Sequence, residues 1–274
     1  MGGPPAAARD AATVMLLRPA MKGDGQAGGG LEVYMLRRRQ SMPFAPGAYV
    51  FPGGSVDPRD ADADVAWAGP HVTEWAGWLG STPELARGLL CAAVRETFEE
   101  AGVLLAGVSA GITRPERRAT ADGTLPAADS LEPDRLALLD RSLSLAGLLA
   151  RRGLVLRSDQ LKPWARWITP AVETRRYDTR FFAAALPERQ QTREIRDEAD
   201  EVAWLRPADV LAAAGRGEAL VLPPTAVTLA ELAACDSVAA ALAAPRQITP
   251  LQPEIQWDGD RAWLQMPGDT EYPL

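Results

Sequence analysis

The sequence predicts an α/β protein in which a mixed β-sheet carries helices on both faces. Segments rich in β-branched and aliphatic residues alternate with alanine- and leucine-rich segments of helical periodicity, but without the strict period of a purely parallel sheet. The chain contains no internal sequence repeat. Its 274 residues, 47% of them hydrophobic, are sufficient for a core that needs no covalent cross-links.

The predicted strands begin with a pair, residues 11–18 and 31–38, which flank a glycine-rich loop. A third strand ends at the sharp break FPGG, residues 51–54. Further along the chain, the same strand composition recurs at 165–170, 176–186 and 201–205. These segments together supply the predicted mixed sheet.

The longest predicted helix begins near Ser81, where Glu84 completes a capping box, and ends at Gly102. Leucines at helical spacing predict one helix over 133–153, preceded by irregular chain at 106–132. Prolines near the expected starts predict further helices within 206–217 and 223–244.

We expect one folded domain over residues 11–225, a flexible N-terminus at 1–10, and a C-terminal helix and tail, 226–274, packed on the same domain. Residues 55–80 form an insertion rich in acidic residues, proline and glycine. The insertion is expected to be ordered, to pack beside the FPGG turn and to narrow the entrance to the site. Three tryptophans that would be costly to leave in water support this expectation: Trp67, Trp75 and Trp78.

The formal net charge of −7 argues against general nucleic-acid binding but permits a local basic pocket for a small anion. The two cysteines lie far apart in apolar sequence, which disfavours a disulfide or a zinc site. The N-terminal apolar run is too short for a secretory signal or a membrane span. We therefore expect a cytoplasmic protein that does not bind membranes, and the sequence leaves open whether it forms a homodimer.

Three glutamates cluster near the end of the longest helix. Glu96, Glu99 and Glu100 stand at i, i+3 and i+4, so their carboxylates project from one side of the helix. Their mutual repulsion and the negative end of the helix dipole both call for a compensating cation. Clustered oxygen ligands suit Mg²⁺ or Mn²⁺, which often bind together with substrate phosphates. For such a triplet in isolation, the ordinary interpretation is a solvated acidic helix face.

The context of the triplet changes that interpretation. The stretch RETFEEAGV has the order REUxEExGU, where U is an aliphatic residue, and FPGG precedes it at the end of a strand. This combination resembles the Nudix hydrolase superfamily. The usual Nudix glycine and first glutamate are replaced by Ser81 and Arg87, and the insertion separates FPGG from the helix. Together with the segments 44–57, 94–105 and 167–182, these features resemble the subgroup of the mammalian peroxisomal coenzyme A diphosphatase.

The resemblance implies a Nudix α/β/α sandwich in which Glu96, Glu99 and Glu100 hold Mg²⁺ or Mn²⁺ against a diphosphate. Arg95 would pair with a carboxylate of the cluster and orient it. The general base would be Glu100 or a glutamate of a later loop, for which the sequence offers Glu194, Glu198 and Glu201. Glu198 is favoured because it stands just before a strand, and the alternative is a solvated acidic loop.

The resemblance also suggests residues that bind substrate. They are a glycine pair and several basic or aromatic side chains: Arg38, Gly53, Gly54, Arg175, Arg176 and Tyr177. The alternatives are a solvent-facing charge run at 37–39 and a structural ion pair of the RRYDT arginines with Asp178. His71, the single histidine, is expected to be structural.

The expected function is Mg²⁺- or Mn²⁺-dependent cleavage of coenzyme A or acyl-CoA, favoured at alkaline pH. The products would be adenosine 3′,5′-bisphosphate and 4′-phosphopantetheine or its acylated form. Two alternatives remain open. The same chemistry would act on ADP-ribose, dinucleotides or capped RNA, or the chain would be a nucleotide-sensing module without catalysis.

Overall fold

The computed structural model describes residues 6–21, 27–42, 45–61, 65–108, 128–193, 199–258, 261–265 and 271–273. Within these residues the α-helices are α1 Val72–Leu79, α2 Pro83–Ala101, α3 Ala128–Leu139, α4 Leu145–Arg152, α5 Pro207–Gly215, α6 Pro223–Ala233 and α7 Val238–Ala243. Single 3₁₀ turns lie at Pro58–Ala61 and Ser158–Gln160. None of the described helices is long and apolar enough to cross a lipid bilayer.

The described residues also form fifteen strands. The first eight are β1 Arg9–Met21, β2 Ala27–Arg38, β3 Ala48–Val50, β4 Gly53–Ser55, β5 Trp67–Ala68, β6 Ala106–Gly107, β7 Val155–Arg157 and β8 Lys162–Ile168. The others are β9 Tyr177–Ala185, β10 Ala199–Leu205, β11 Leu220–Val221, β12 Pro250–Leu251, β13 Glu254–Asp258, β14 Arg261–Gln265 and β15 Glu271–Pro273.

The main sheet is mixed, as predicted, and β1 is its central strand. β1 runs parallel to β9 and antiparallel to β2 and β4, while β8 lies antiparallel on the far side of β9. The full order is β11-β3-β2-β1-β9-β8-β12, with β10 pairing with β2 and β4 with β1. Because β4 lies beside the start of β1, the FPGG turn is fixed at the end of the sheet where β1 begins.

The sheet is buried on both faces, which gives an α/β/α sandwich. Successive residues of a strand point to opposite faces, and β1 is apolar at consecutive positions. Val14 and Leu16 belong to a core that includes side chains of α1 to α4. Met15 and Leu17 belong to a second core that includes side chains of α5 to α7. The predicted fold class is therefore confirmed.

The structure corrects the helix predicted over 133–153, which is divided into α3 and α4. The chain turns at Asp140, whose carboxylate accepts a hydrogen bond from the Ser142 amide at 2.8 Å. Arg141 has a φ of 64°, which ends the helical path, and Ser144 caps α4. The prediction of irregular chain was also wrong for 128–132, which belongs to α3.

Several predicted boundaries shift by a few residues. Thr82, not Ser81, caps α2, and its hydroxyl accepts a hydrogen bond from the Leu85 amide. Strand β1 already begins at Arg9. Residue 225 lies inside α6, and the chain beyond it contains α7 and the small sheet of β13 to β15 besides the single helix predicted there.

Candidate active site

The site is built where the C-terminal part of α2 meets strand β4. A Cβ atom on Gly54 would lie 2.3 Å from the Glu96 Oε1 atom, and one on Gly53 would lie 2.5 Å from the Ala12 carbonyl oxygen. Only glycine therefore allows the strand to lie this close to both neighbours. The Gly53 amide donates a hydrogen bond of 2.9 Å to the Glu100 carboxylate, which fixes that side chain against the turn.

Arg95 occupies the centre of the carboxylate cluster. Its Nη1 donates to Glu96 at 2.8 Å and to Glu99 at 3.1 Å, and its Nη2 donates to the Ser55 carbonyl at 3.1 Å. The residue is only 8% exposed. Burial alone would lower the pKa of Arg95, but the hydrogen bond with Asp60 and the neighbouring carboxylates outweigh it, so that pKa is raised. Arg95 thus offsets the repulsion between Glu96 and Glu99.

Asp60 is a site residue that was missed in the sequence. It belongs to the 3₁₀ turn at the start of the insertion and is 2% exposed. Its carboxylate accepts hydrogen bonds from Arg95 Nε at 3.0 Å and from Arg95 Nη2 at 2.9 Å. The two-bond geometry fixes the plane of the guanidinium, and with it the direction in which Nη1 meets the glutamates. Several aspartates follow one another in this segment, and nothing local distinguishes this one.

The carboxyl group of Glu96 is strongly perturbed. Burial and the nearby charge of Glu99 raise its pKa to about 7, although the positive charge of Arg95 opposes the rise. A buried carboxylate beside a second carboxylate is costly to ionise without a cation. Binding of a divalent cation near neutral pH would therefore displace a proton from this group.

The donor set fits Mg²⁺ or Mn²⁺ in its chemistry. It consists of carboxylate oxygens on one side of α2. Gly54 of β4 lies so close to Glu96 that a Cβ atom would not fit between them. Within the described ranges, however, no three acidic, cysteine or histidine side chains converge in a metal-binding geometry. The reason is visible in the contacts: Glu96 and Glu99 bind Arg95, while Glu100 binds the Gly53 amide.

Two connected openings lead to this cluster. A cavity of about 170 Å³ is lined by Arg95, Glu96 and Glu99, by the end of α3, and by Arg141 in the loop that follows it. A wider cleft of about 670 Å³ shares Arg95 and Glu96 with it and extends to the start of β1. Residues 55–58 and 61 of the insertion line the wide cleft. None of its tryptophans is among the described residues that line either opening, so the expectation that the tryptophans narrow the entrance is not met. Trp75 lies in the core against Phe182 of β9.

The remaining substrate-binding candidates are not among the described residues that line the two openings. Arg176 donates to the carbonyls of Thr169, Pro170 and Ala6, which is a structural role. Arg38, Arg175 and Tyr177 are not among the described residues that line the two openings. Their contact with substrate stays a prediction.

The loop glutamates are only partly described. Glu201 lies on β10 and accepts a hydrogen bond from the Tyr49 hydroxyl at 3.3 Å. Glu194 and Glu198 lie outside the described residues. His71 has the structural role expected of it, since its side chain caps α1 together with Glu74.

Comparison with known proteins identifies a family. The model of the NUDT19 Nudix domain matches residues 81–232, more than half of the chain. Acyl-coenzyme A diphosphatase NUDT19 of Gallus gallus is 28% identical over 266 residues, which cover 82% of this chain and 68% of that protein. The protein of the same name from Homo sapiens is 32% identical over 200 residues, 58% of this chain and 49% of that protein. The chain thus spans about half to two thirds of these curated relatives.

A solved structure supports the same assignment. The crystal structure of a Nudix hydrolase from Alicyclobacillus acidocaldarius matches with a TM-score of 0.69 at 27% identity. The match covers 88% of this chain and 98% of that one. The chain therefore belongs to the Nudix hydrolase superfamily and, within it, to the family of the NUDT19 Nudix domain.

Proposed function

We propose that this chain is a Mg²⁺- or Mn²⁺-dependent diphosphatase that hydrolyses coenzyme A or acyl-CoA. The observation that carries the proposal is the placement of Glu96, Glu99 and Glu100 beside a glycine strand, with Arg95 at their centre. The name acyl-coenzyme A diphosphatase, borne by relatives from Gallus gallus and Homo sapiens, supports the choice of substrate. The products would be adenosine 3′,5′-bisphosphate and 4′-phosphopantetheine or its acylated form.

In this proposal the three glutamates hold the divalent cations. The bound cations would neutralise charge on the diphosphate and lower the pKa of the water that attacks phosphorus. Arg95 keeps Glu96 and Glu99 in position through its Nη1 atom, and Asp60 keeps Arg95 in position. Oxygen from water adds to one phosphorus atom, the bridging P–O bond breaks, and the other phosphate leaves as a monoester.

The proton of the attacking water needs an acceptor near the cluster. Glu100 is a candidate whose carboxylate has a fixed position, because the Gly53 amide holds one of its oxygens. A carboxylate oxygen can accept a proton, which makes Glu100 a candidate for the general base. The prediction for Glu198 stays open, and an ionised base favours activity on the alkaline side of neutrality.

The cleft also suits a nucleotide in size and charge. Its volume of about 670 Å³ falls in the range of cofactor and ligand sites. Arginines line it alongside the carboxylates, so a substrate with several phosphates would meet cations there. These features support a polyanionic substrate and do not by themselves select coenzyme A.

A substrate panel tests the proposal. Coenzyme A, acyl-CoAs, ADP-ribose, a dinucleotide and capped RNA would be incubated with the protein and Mg²⁺ or Mn²⁺, and the products identified by mass spectrometry. We expect adenosine 3′,5′-bisphosphate from coenzyme A or acyl-CoA, and none with chelator. A tenfold or greater kcat/KM advantage for ADP-ribose or a dinucleotide would contradict the substrate assignment. Nucleotide binding without any cleavage would favour the sensing module.

The close contact between Gly54 and Glu96 gives a separate prediction. Gly54→Ala should lower kcat by at least about tenfold, because the new methyl group displaces the Glu96 carboxylate from beside the turn. The effect on stability should be smaller than that of Gly53→Ala, whose methyl group would meet the backbone of β1. Steady-state kinetics and thermal unfolding would be measured for both variants. Gly77→Ala serves as control, since space is open beside that glycine.

A further inference from the structure

Two arginines that line the wide cleft have no partner for their charge. Arg9 and Arg141 both face the cleft that contains Arg95 and Glu96. Neither guanidinium has a hydrogen bond or ion pair with any described residue, and both side chains are exposed. The cleft therefore contains positive charge beyond what holds the carboxylate cluster together.

The acidic residues of the cleft are already paired. Asp10 accepts a hydrogen bond of 2.8 Å from the buried Arg180. Asp57 pairs with Arg59, and the hydrogen bond from Arg59 lowers the pKa of that carboxyl to about 2. Glu96 pairs with Arg95. Among the charged residues that line the wide cleft, Arg9 and Arg141 are thus the two without a hydrogen bond or ion pair from their side chains to a described residue.

Arg141 is held in a costly backbone conformation. Its φ of 64° is unfavourable for a residue with a Cβ atom. The conformation is stabilised by hydrogen bonds from the Arg141 amide to the Leu138 carbonyl and from Arg59 Nη1 to the Arg141 carbonyl, both at 3.0 Å. Through Arg59, the loop after α3 is tied to the turn that also supplies Asp60. The backbone of Arg141 is therefore fixed relative to the carboxylate cluster.

The backbone of Arg9 is fixed by the pairing of strands β1 and β9. Arg9 is the first residue of β1 and pairs with Tyr177 of β9, and its amide donates to the Arg176 carbonyl at 2.9 Å. Arg9 lines the wide cleft but is not among the described residues around the small cavity beside Glu99. Arg141 lines both openings, so the two arginines border a path from the carboxylate cluster to the start of β1.

We propose that Arg9 and Arg141 form a subsite for a terminal phosphate monoester of the substrate, distinct from the diphosphate that is hydrolysed. The inference rests on the proposed function, in which the glutamates and their cations take the diphosphate. Two guanidinium groups suit a phosphate dianion, since each presents paired donors to its oxygens. The subsite selects nucleoside diphosphate derivatives that carry an additional phosphate.

Calorimetry tests the subsite without turnover. Binding of adenosine 3′,5′-bisphosphate and of AMP to the protein would be compared, both with Mg²⁺. We expect the wild type to bind the bisphosphate about tenfold more tightly than AMP. Arg9→Gln and Arg141→Gly should each weaken binding of the bisphosphate more than binding of AMP, and so remove most of this preference. Glycine accepts a φ of 64° without strain, so Arg141→Gly preserves the loop.

The control and the kinetics separate the remaining outcomes. Arg189→Gln should keep the preference, because Arg189 is also exposed with a φ of 68° but is not among the described lining residues. Kinetically, both cleft variants should raise KM for coenzyme A and not for 3′-dephospho-coenzyme A. Equal weakening of both ligands, or an unchanged preference, would overturn the subsite. If the wild type cleaves neither compound, the proposed function fails, while calorimetry still decides the subsite.

Discussion

Replacing Glu99 or Glu100 with glutamine is expected to lower kcat by at least about two orders of magnitude while the fold stays intact. A preorganised charged group near developing charge contributes a few kcal/mol to the transition state, which corresponds to about this factor. Glutamine has the same shape, and its amide oxygen can still accept the hydrogen bond from Arg95 or from the Gly53 amide. The variants therefore remove charge and change little else.

The stability of these variants provides a second readout. Without metal, each substitution relieves repulsion within the cluster, so the midpoint of thermal unfolding should stay constant or rise. With Mg²⁺, the wild type should gain stability and the variants should gain less, because ligand binding stabilises the folded state. Glu84→Gln, at the other end of the same helix, is the matched control and should keep full activity. Full activity of Glu99→Gln or Glu100→Gln with Mg²⁺ would contradict the assignment of these glutamates as metal ligands.

Asp60→Asn should have the largest effect on stability. Asp60 is buried and holds the Arg95 guanidinium through two hydrogen bonds, and breaking such a buried contact costs about 3 kcal/mol of stability. Arg95 retains Glu96 and Glu99, but its guanidinium loses the two-bond contact that fixes its plane. We therefore also expect kcat to fall by at least about tenfold. Chemical denaturation and steady-state kinetics would measure the two effects.

An exposed ion pair supplies the comparison. Asp159 pairs with Arg157 at 2.6 Å, and both side chains are 37% exposed. Asp159→Asn should therefore cost less than about 1 kcal/mol and leave kcat unchanged. A double-mutant cycle of Asp60→Asn with Arg95→Met would isolate the coupling between the buried partners. If Asp60→Asn behaved like the exposed control, the positioning role of Asp60 would be wrong.

The sequence predicted the helix that carries the glutamates because the relevant signals are local. The spacing of Glu96, Glu99 and Glu100 fixes one side of any α-helix, and Gly102 takes the left-handed conformation that ends α2. The start was predicted one residue early. Ser81 and Thr82 are both suitable caps, and local sequence does not decide which hydroxyl reaches the free amide.

The division between α3 and α4 shows a limit of periodicity. Leucines continue at helical spacing across residues 140–144, since both helices bury leucines in the same core. The break depends instead on the Asp140 carboxylate, on the φ of Arg141 and on its carbonyl bond to Arg59. The last of these partners lies 82 positions away in the sequence.

The sequence by itself thus determined the mixed sheet with helices on both faces, the long helix, and the placement of three carboxylates on one side of that helix. These follow from hydrophobic period and helix geometry, which act over a few residues. Only the tertiary structure decided that Asp60, 35 residues before Arg95, is its partner, and that Arg9 and Arg141 share a cleft. Such pairings depend on how the sheet, the insertion and the loop after α3 pack together, and local conformational preferences do not specify that packing.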